Sequence, residues 1–308
     1  MIQHKPLQTL GYTVLALIAF AANSVLCRVA LKDDTIDPSS FTSIRLLSGI
    51  LMFVLLLAFS RKTNQAPNKK QADKKPVYSW LSGAFLFTYA IAFSYAYVSL
   101  ETGVGALVLF GAVQVSMIIA SFVMGNKLSL WEWLGLSISF SGLVYLLYPT
   151  LATPSIFGFM LMTLSGIAWG MYTILGRNSQ DPFKDTAANF KYTAPLVLVL
   201  FLGTLSSQHI SLYGAVLAVA SGALASALGY TIWFMALKGL SETEAAVVQL
   251  SVPVIAAFGG VLFASEAISM RLIVACILVL GGISLVMFGR VNKAKQALEQ
   301  AQAKEKAQ

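Results

Sequence analysis

Charge is confined to short segments of this chain, and long apolar stretches run between them. Pro6–Cys27, Leu46–Ser60, Val77–Leu100, Thr102–Asn126, Trp133–Gly176, Tyr192–Leu237, Ala245–Ser265 and Leu272–Gly289 contain no Asp, Glu, Lys or Arg. A helix needs roughly 20 apolar residues to cross the hydrocarbon of a bilayer, so most of these stretches hold one crossing. Two are too long for one. Trp133–Gly176 is broken at Tyr148-Pro149-Thr150 through Thr153-Pro154-Ser155, and Tyr192–Leu237 at Ser206-Ser207-Gln208-His209-Ile210-Ser211. Dividing both predicts ten spans, near 9–30, 39–60, 78–99, 103–124, 131–149, 155–176, 186–206, 212–236, 243–264 and 270–289. Continuous apolarity, with no period-two alternation, selects helices, and lipid leaves only helices or closed barrels as spanning structures. The expected fold is an all-α integral membrane protein.

Composition agrees with a lipid solvent. Of 308 residues, 57% are hydrophobic and 11% charged, against about a quarter charged in soluble domains. The net charge of +8 does not indicate nucleic acid, because the basic residues sit between apolar spans. With the N-terminus in the cytoplasm, the inside segments carry 16 of the 21 Lys and Arg residues and the outside segments only Arg28, Lys32 and Arg271. That is a strong positive-inside bias, and it places both termini in the cytoplasm. Much of it comes from the loop Arg61–Lys75, read as a topology anchor. His4 and Lys5 before an apolar run imitate a signal peptide, but the run is too long and contains Asn23; this helix is expected in the mature protein. Cys27 and Cys276 fall in different helices, so they form no disulfide framework and no metal spacing.

The chain repeats itself. A shift of 149 lays Leu15, Ile18, Ala19, Leu26 and Arg28 on Leu164, Ile167, Ala168, Leu175 and Arg177. A shift of 139 lays residues 104–144 on 243–283, so that Ala106, Val108, Val113, Val115, Ile138 and Gly142 meet Ala245, Val247, Val252, Val254, Ile277 and Gly281. Five crossings per repeat is an odd number, so the second half enters the membrane from the opposite side. Inverted repeats are common in secondary transporters, with the substrate site near the midplane between the halves. The expected units are residues 1–149 and 150–290, each a five-helix repeat, with a charged cytoplasmic tail at 291–308.

These features resemble the drug/metabolite transporter superfamily, specifically its ten-helix EamA-type branch. The resemblance rests on Phe41-x-x-x-Arg45, Trp169-Gly170-Met171-Tyr172, Pro253 inside the ninth span, and Ser265-Glu266-Ala267-Ile268-Ser269 followed by Gly281-Gly282-Ile283. It covers about residues 10–290. The sequence departs from it at Asn126-Lys127, where an acidic residue is usual, and at Ala22-Asn23-Ser24, where Trp-Gly is common. The resemblance implies export or exchange of amino acids, metabolites or drug-like compounds by alternating access.

Polar groups within a membrane are costly and are candidates for function. Asn23, Gln114 and Gln249 offer amide donors and acceptors to a polar solute, or hydrogen-bond between helices. Arg45 and Lys191 lie early in the second and seventh spans. They suit either an anion at each entrance or snorkelling to headgroups, the latter being favoured for Lys191. Tyr89, Trp169, Tyr172 and Tyr230 are mid-span aromatics that suit a central cavity, whereas Trp131, Trp133, Tyr145 and Tyr148 read as interface anchors. The candidate pathway residues are therefore Asn23, Arg45, Tyr89, Gln114, Trp169, Tyr172, Tyr230 and Gln249.

Glu101, Glu242, Glu244 and Glu266 fall near span ends, and His4 and His209 outside the spans. No carboxylate relay crosses the midplane, which favours facilitated or exchange transport, or coupling through charges at the span ends. An intramembrane enzyme would need a His pair, acidic pair or Cys–His combination, and none is present, so no catalytic residue, metal or cofactor is expected. An integral-membrane enzyme or a channel is the alternative to a carrier. The partners implied are a small-molecule substrate and the lipid bilayer of a bacterial cytoplasmic (inner) membrane, with no nucleic acid; a single chain leaves homo-oligomerisation open.

Overall fold

The computed structural model describes residues 6–62, 79–123, 129–147, 155–177, 179, 181–240, 245 and 248–306. The anchor loop after Lys62, the pair Asn126-Lys127, the break beginning at Tyr148, and Glu242 and Glu244 lie outside the described residues. Among those described the chain forms ten helices: α1 Pro6–Lys32, α2 Pro38–Lys62, α3 Trp80–Tyr97, α4 Thr102–Val123, α5 Leu130–Leu147, α6 Ile156–Gly176, α7 Pro182–Gly203, α8 Leu212–Ala236, α9 Val252–Ala264 and α10 Met270–Lys306. Seven of them (α1, α2, α4, α6, α7, α8 and the Met270–Gly289 part of α10) are long and apolar enough to cross a membrane. The other three, α3, α5 and α9, have 18, 18 and 13 residues. The chain is an all-α, multi-pass membrane protein. Its outer surface agrees: Phe59, Phe140, Phe157, Leu212 and Leu262 are all more than 60% exposed, as apolar side chains facing lipid would be.

Three elements differ from the sequence pattern. The seventh helix starts at Pro182, earlier than expected at 186, because Asp181 caps it by accepting from Lys184 N at 3.2 Å and proline suits the first helical position. The ninth is interrupted. Ala245, Val248 and Gln249 are helical, Leu250 and Ser251 form a turn, and α9 resumes at Val252 with Pro253 in its first turn. Pro253 thus sits where its missing N–H has no intrahelical partner to lose. The tenth continues past the apolar span as one helix to Lys306.

Helices α5 and α10 form a peripheral pair, packing mainly on each other and more lightly on α4. Their backbones nearly touch at Gly135 and Gly282, where an added Cβ would overlap the opposing backbone; small residues permit this approach in lipid. The remaining helices enclose one apolar core, with α3 and α4 against α6, α1 against α8 and α9, and α2 against α7 and α8. First-half helices therefore interleave with second-half helices around the centre.

Helix α8 carries a π-helical stretch, Ala220–Leu228. Gly222 in this stretch lies on the backbone of α2, where a Cβ would overlap the Arg45 carbonyl oxygen and Ser48 Oγ. π-Turns are rare and often mark functional positions. Here the widened turn lies opposite Arg45.

Candidate functional site

Arg45 lies seven residues into α2, which at 1.5 Å per residue is about 10 Å from the helix start. It is 1% exposed. Its place is the protein interior. The guanidinium Nε donates to Ser226 Oγ at 3.1 Å, and Nη2 donates to Tyr89 Oη at 3.0 Å and Tyr230 Oη at 2.7 Å. Its Cζ lies 4.9 Å from the Phe93 ring centre and 5.1 Å from that of Tyr89, a cation–π arrangement. Nη1 is buried with no hydrogen-bond partner, and no carboxylate among the described residues is ion-paired with Arg45. A bare charge in hydrocarbon costs several kcal/mol; three hydroxyls and two ring faces offset part of that.

The hydroxyls belong to a wider network. Tyr89 Oη also accepts from Asn23 Nδ2 and from Tyr230 Oη, each at 3.1 Å. Ser221 Oγ on the π stretch donates to Asn23 Oδ1. Ser226 and Tyr230 stand four residues apart on α8, one helical turn, which presents both to the same guanidinium. Asn23 comes from α1, Arg45 from α2, Tyr89 from α3, and Ser221, Ser226 and Tyr230 from α8.

Aromatic rings close around this network. Trp169 lies 4.6 Å from Tyr230, 5.0 Å from Tyr89 and 5.4 Å from Tyr172, centre to centre. Phe20 touches Trp169, Tyr230, Trp233 and Phe110 at 5.5–6.3 Å. Among these rings is a cavity of about 10 Å³, lined by Phe20, Tyr89, Phe93, Leu109, Phe110, Trp169 and Tyr230. That is room for about one water. Trp233, whose ring packs on Phe20 but does not line the cavity, also has its Nε1 buried without a partner. A larger groove of about 400 Å³ lies elsewhere, between α1, α8 and α9, lined by apolar side chains such as Ile18, Leu26 and Phe263 together with Tyr213. It has no part in the polar network.

Of the residues expected from sequence, the structure brings Asn23, Arg45, Tyr89, Trp169, Tyr172 and Tyr230 into one cluster. Tyr172 stands at its edge, accepting from Asn189 Nδ2 at 3.5 Å. Gln114 is buried in α4 but does not line the cavity. Gln249 donates to Ala245 O at 3.2 Å, one turn back on its own segment, and is absent from the cavity lining. Lys191 is exposed on α7, as a snorkelling lysine would be. Sequence reasoning missed Phe20, Phe93, Phe110, Ser221 and Ser226. Phe20 precedes Asn23 by three positions, hence by about one turn, and that spacing was the readable signal.

It also missed how the ends are tied. Successive helices reverse direction, so the α1–α2, α3–α4, α7–α8 and α9–α10 connections share the face opposite the start of α1. On that face Arg28 Nε pairs with Glu266 Oε1 at 2.9 Å, and Arg28 Nη1 donates to the Tyr97 and Val98 carbonyls at 3.0 and 3.1 Å. Glu266 Oε2 accepts from Thr102 N at 2.8 Å, and Lys32 Nζ donates to Ala264 O at 2.6 Å. Ile36 and Ile210 form an antiparallel bridge, flanked by Asp37 N to His209 O at 3.1 Å, His209 N to Asp37 Oδ2 at 3.0 Å and Ser211 N to Thr35 O at 2.9 Å. Burial pushes the Asp37 carboxyl up, but hydrogen bonds from Ser39, Ser40 and the His209 backbone outweigh it and hold the group below the usual carboxylate range. Burial, then the charge of Glu266, pushes Glu101 above it, against the pull of Arg28. Toward the other face, Phe53 packs on Phe183 and Phe190 at 5.5 and 5.4 Å.

The chain is thus a multi-pass helical bundle with a small aromatic cavity and a buried arginine beside it, and comparison with known proteins places it among membrane transport proteins. Among solved structures, one titled only as the crystal structure of a protein has the same fold, with a TM-score of 0.60 at 17% identity over 89% of this chain and 95% of that one. The EamA-like transporter family matches residues 8–148 and again 156–288, and the chain belongs to that family. An uncharacterised Pseudomonas aeruginosa protein, PA1977, is 45% identical over 93% of this chain and 97% of its own. The uncharacterised transporter YoaV of Bacillus subtilis is 22% identical over 86% and 91%, and an uncharacterised transporter of Archaeoglobus fulgidus is 22% identical over 82% and 89%.

Proposed function

We propose that this chain exports or exchanges a small metabolite, such as an amino acid or a drug-like compound, across a bacterial cytoplasmic membrane by alternating access. In this reading residues 1–149 and 150–290 are inverted five-helix repeats, residues 291–308 are a tail, and both termini are cytoplasmic. The observation that supports it best is the central chamber. Its residues come from both halves, the buried Arg45 stands against three of them, and its volume of about 10 Å³ is far too small for a metabolite. A solute can occupy it only if the halves separate, and polar ties on one face with aromatic packing toward the other are what a carrier closed at both ends needs. Alternating access then consists of breaking one set of ties at a time.

A resistance screen of overexpressing cells against toxic amino-acid analogues would identify a cargo class, and counterflow in proteoliposomes would test the mechanism. Saturable exchange of labelled solute, lost in Trp169→Ala, is the expected result. Flux that does not saturate, or that is indifferent to Trp169 and Tyr230, would overturn the carrier reading. Reporter fusions that put the two chain ends on opposite sides of the bilayer would overturn the topology.

A further inference from the structure

The chamber is rich in donors and poor in acceptors. Arg45 offers five N–H groups; Nε and Nη2 are engaged, while Nη1 is not. Tyr89 Oη already accepts from Arg45, Asn23 and Tyr230, and a hydroxyl oxygen has only two lone pairs. Trp233 Nε1, next to the chamber but outside its lining, is a second buried donor with no acceptor. The unpartnered buried acceptors nearby are all neutral: the hydroxyls of Ser24, Ser40, Ser43 and Thr102 and the amide oxygens of Asn189 and Gln249. Unlike most buried charges, the guanidinium has no counter-ion among the described residues. Arg45 is outside the cavity lining itself, but the residues it touches, Tyr89, Phe93 and Tyr230, are three of the seven that form it, so a shift of these rings brings the guanidinium to the chamber.

We infer that the chamber selects an organic anion: a small, planar, apolar body carrying a carboxylate, taken in preference to the matching neutral amide or amine. This rests on the chamber being the substrate site. The carboxylate supplies the acceptors that Arg45 Nη1 lacks, and charge-assisted bonds of this kind are the strong ones. Trp169, Tyr89, Phe20 and Phe110 offer ring faces and edges to the apolar body. An amine would bring a second positive charge to a site without a carboxylate. An amide would supply one neutral acceptor and two further donors.

The matched series phenylacetate, phenylacetamide and phenethylamine tests this at pH 7.5. Binding is measured calorimetrically on the full chain in nanodiscs, and counterflow of the same three labelled probes in proteoliposomes. Phenylacetate is expected to bind at least about tenfold tighter than the amide, the amine being weakest. Arg45→Lys should keep that order, and Arg45→Met should remove the preference for the acid. If the methionine variant does not fold, the wild-type order and Arg45→Lys decide the matter. Equal or tighter binding of the amide or amine, an acid preference that survives Arg45→Met, or no binding by any of the three would overturn the inference. Counterflow of the amine or amide alone would sink it and leave the carrier reading standing. Arg45-dependent acid binding without flux would do the reverse.

Discussion

Breaking the Arg28–Glu266 tie should open the face on which it lies. Glu266 links three helix ends, through Arg28 of α1 at 2.9 Å and Thr102 N of α4 at 2.8 Å, while its own N–H bonds to Gly260 O of α9. The two side chains are only 13% and 9% exposed, so solvent screens the pair weakly. Glu266→Gln keeps the shape, removes the charge, and turns an NH₂ group toward one of the two donors. Losing charge assistance on these bonds costs about 1.5–3 kcal/mol, which moves a two-state equilibrium by roughly ten- to a hundredfold. Cys27 gives a native readout. It is fully buried, and it sits next to Arg28 on the helix that also carries Asn23. In a Cys276→Ser background, the rate at which a small thiol reagent labels Cys27 in the purified protein should rise by that factor, because labelling follows the open population. A thermal melt run alongside separates opening from unfolding. If the protein stays folded and the rate changes by less than about threefold, the tie is structural and the gating argument fails.

Gly222→Ala pushes a methyl group into the Arg45 carbonyl, so α8 and α2 must separate; a loss of about 1–3 kcal/mol is expected by detergent melt, together with loss of flux. An unchanged melt would show that the π turn relaxes freely. Tyr230→Phe removes the shortest acceptor of Arg45 and should cost about 1–3 kcal/mol of stability in the same assay. Asp37→Ala deletes the bond from Ser40 N at the start of α2 and the bond from His209 N, costing about 1 kcal/mol for the cap alone. Because the Asp37 carboxyl is held low, its contribution is present above the ordinary carboxylate range and fades as pH falls through the lowered value; the variant's acid limb should be flatter. Glu101 runs the other way. Its raised carboxyl favours the folded state below the ordinary range and loses that contribution as pH rises through the raised value, so Glu101→Gln should gain stability over wild type at neutral pH and match it in acid.

The fold was legible because lipid forces one solution on apolar stretches of this length. The chamber was partly legible for a related reason: Asn23, Tyr89, Trp169 and Tyr230 are costly or bulky groups in mid-span and Arg45 is a charge inside a span, and the sequence marks them as such. It does not say which of them meet. Gln114 and Gln249 look as good as Asn23 along the chain, but only the packed structure shows that Asn23 meets Tyr89 and Ser221 whereas Gln249 turns back on Ala245 of its own segment. Ser221 and Ser226 carry no signal in the sequence, because a π turn is set by the neighbour it accommodates and has no spacing of its own. Arg28 and Glu266 are 238 residues apart, and only the completed topology brings them to one face. The start of α7 was readable in Asp181-Pro182, but Lys184 and Asp185 gave the segment the look of a loop.

The last helix, with 37 residues, is about 55 Å long. The hydrocarbon takes about 30 Å of that. What remains is a rod some 25 Å in length, standing clear of the membrane as a continuous extension of a spanning element. A fluorescent protein or affinity tag joined after Lys306 would be carried at a distance from the lipid headgroups, so attachment at this end should leave the bundle's own surface unobstructed.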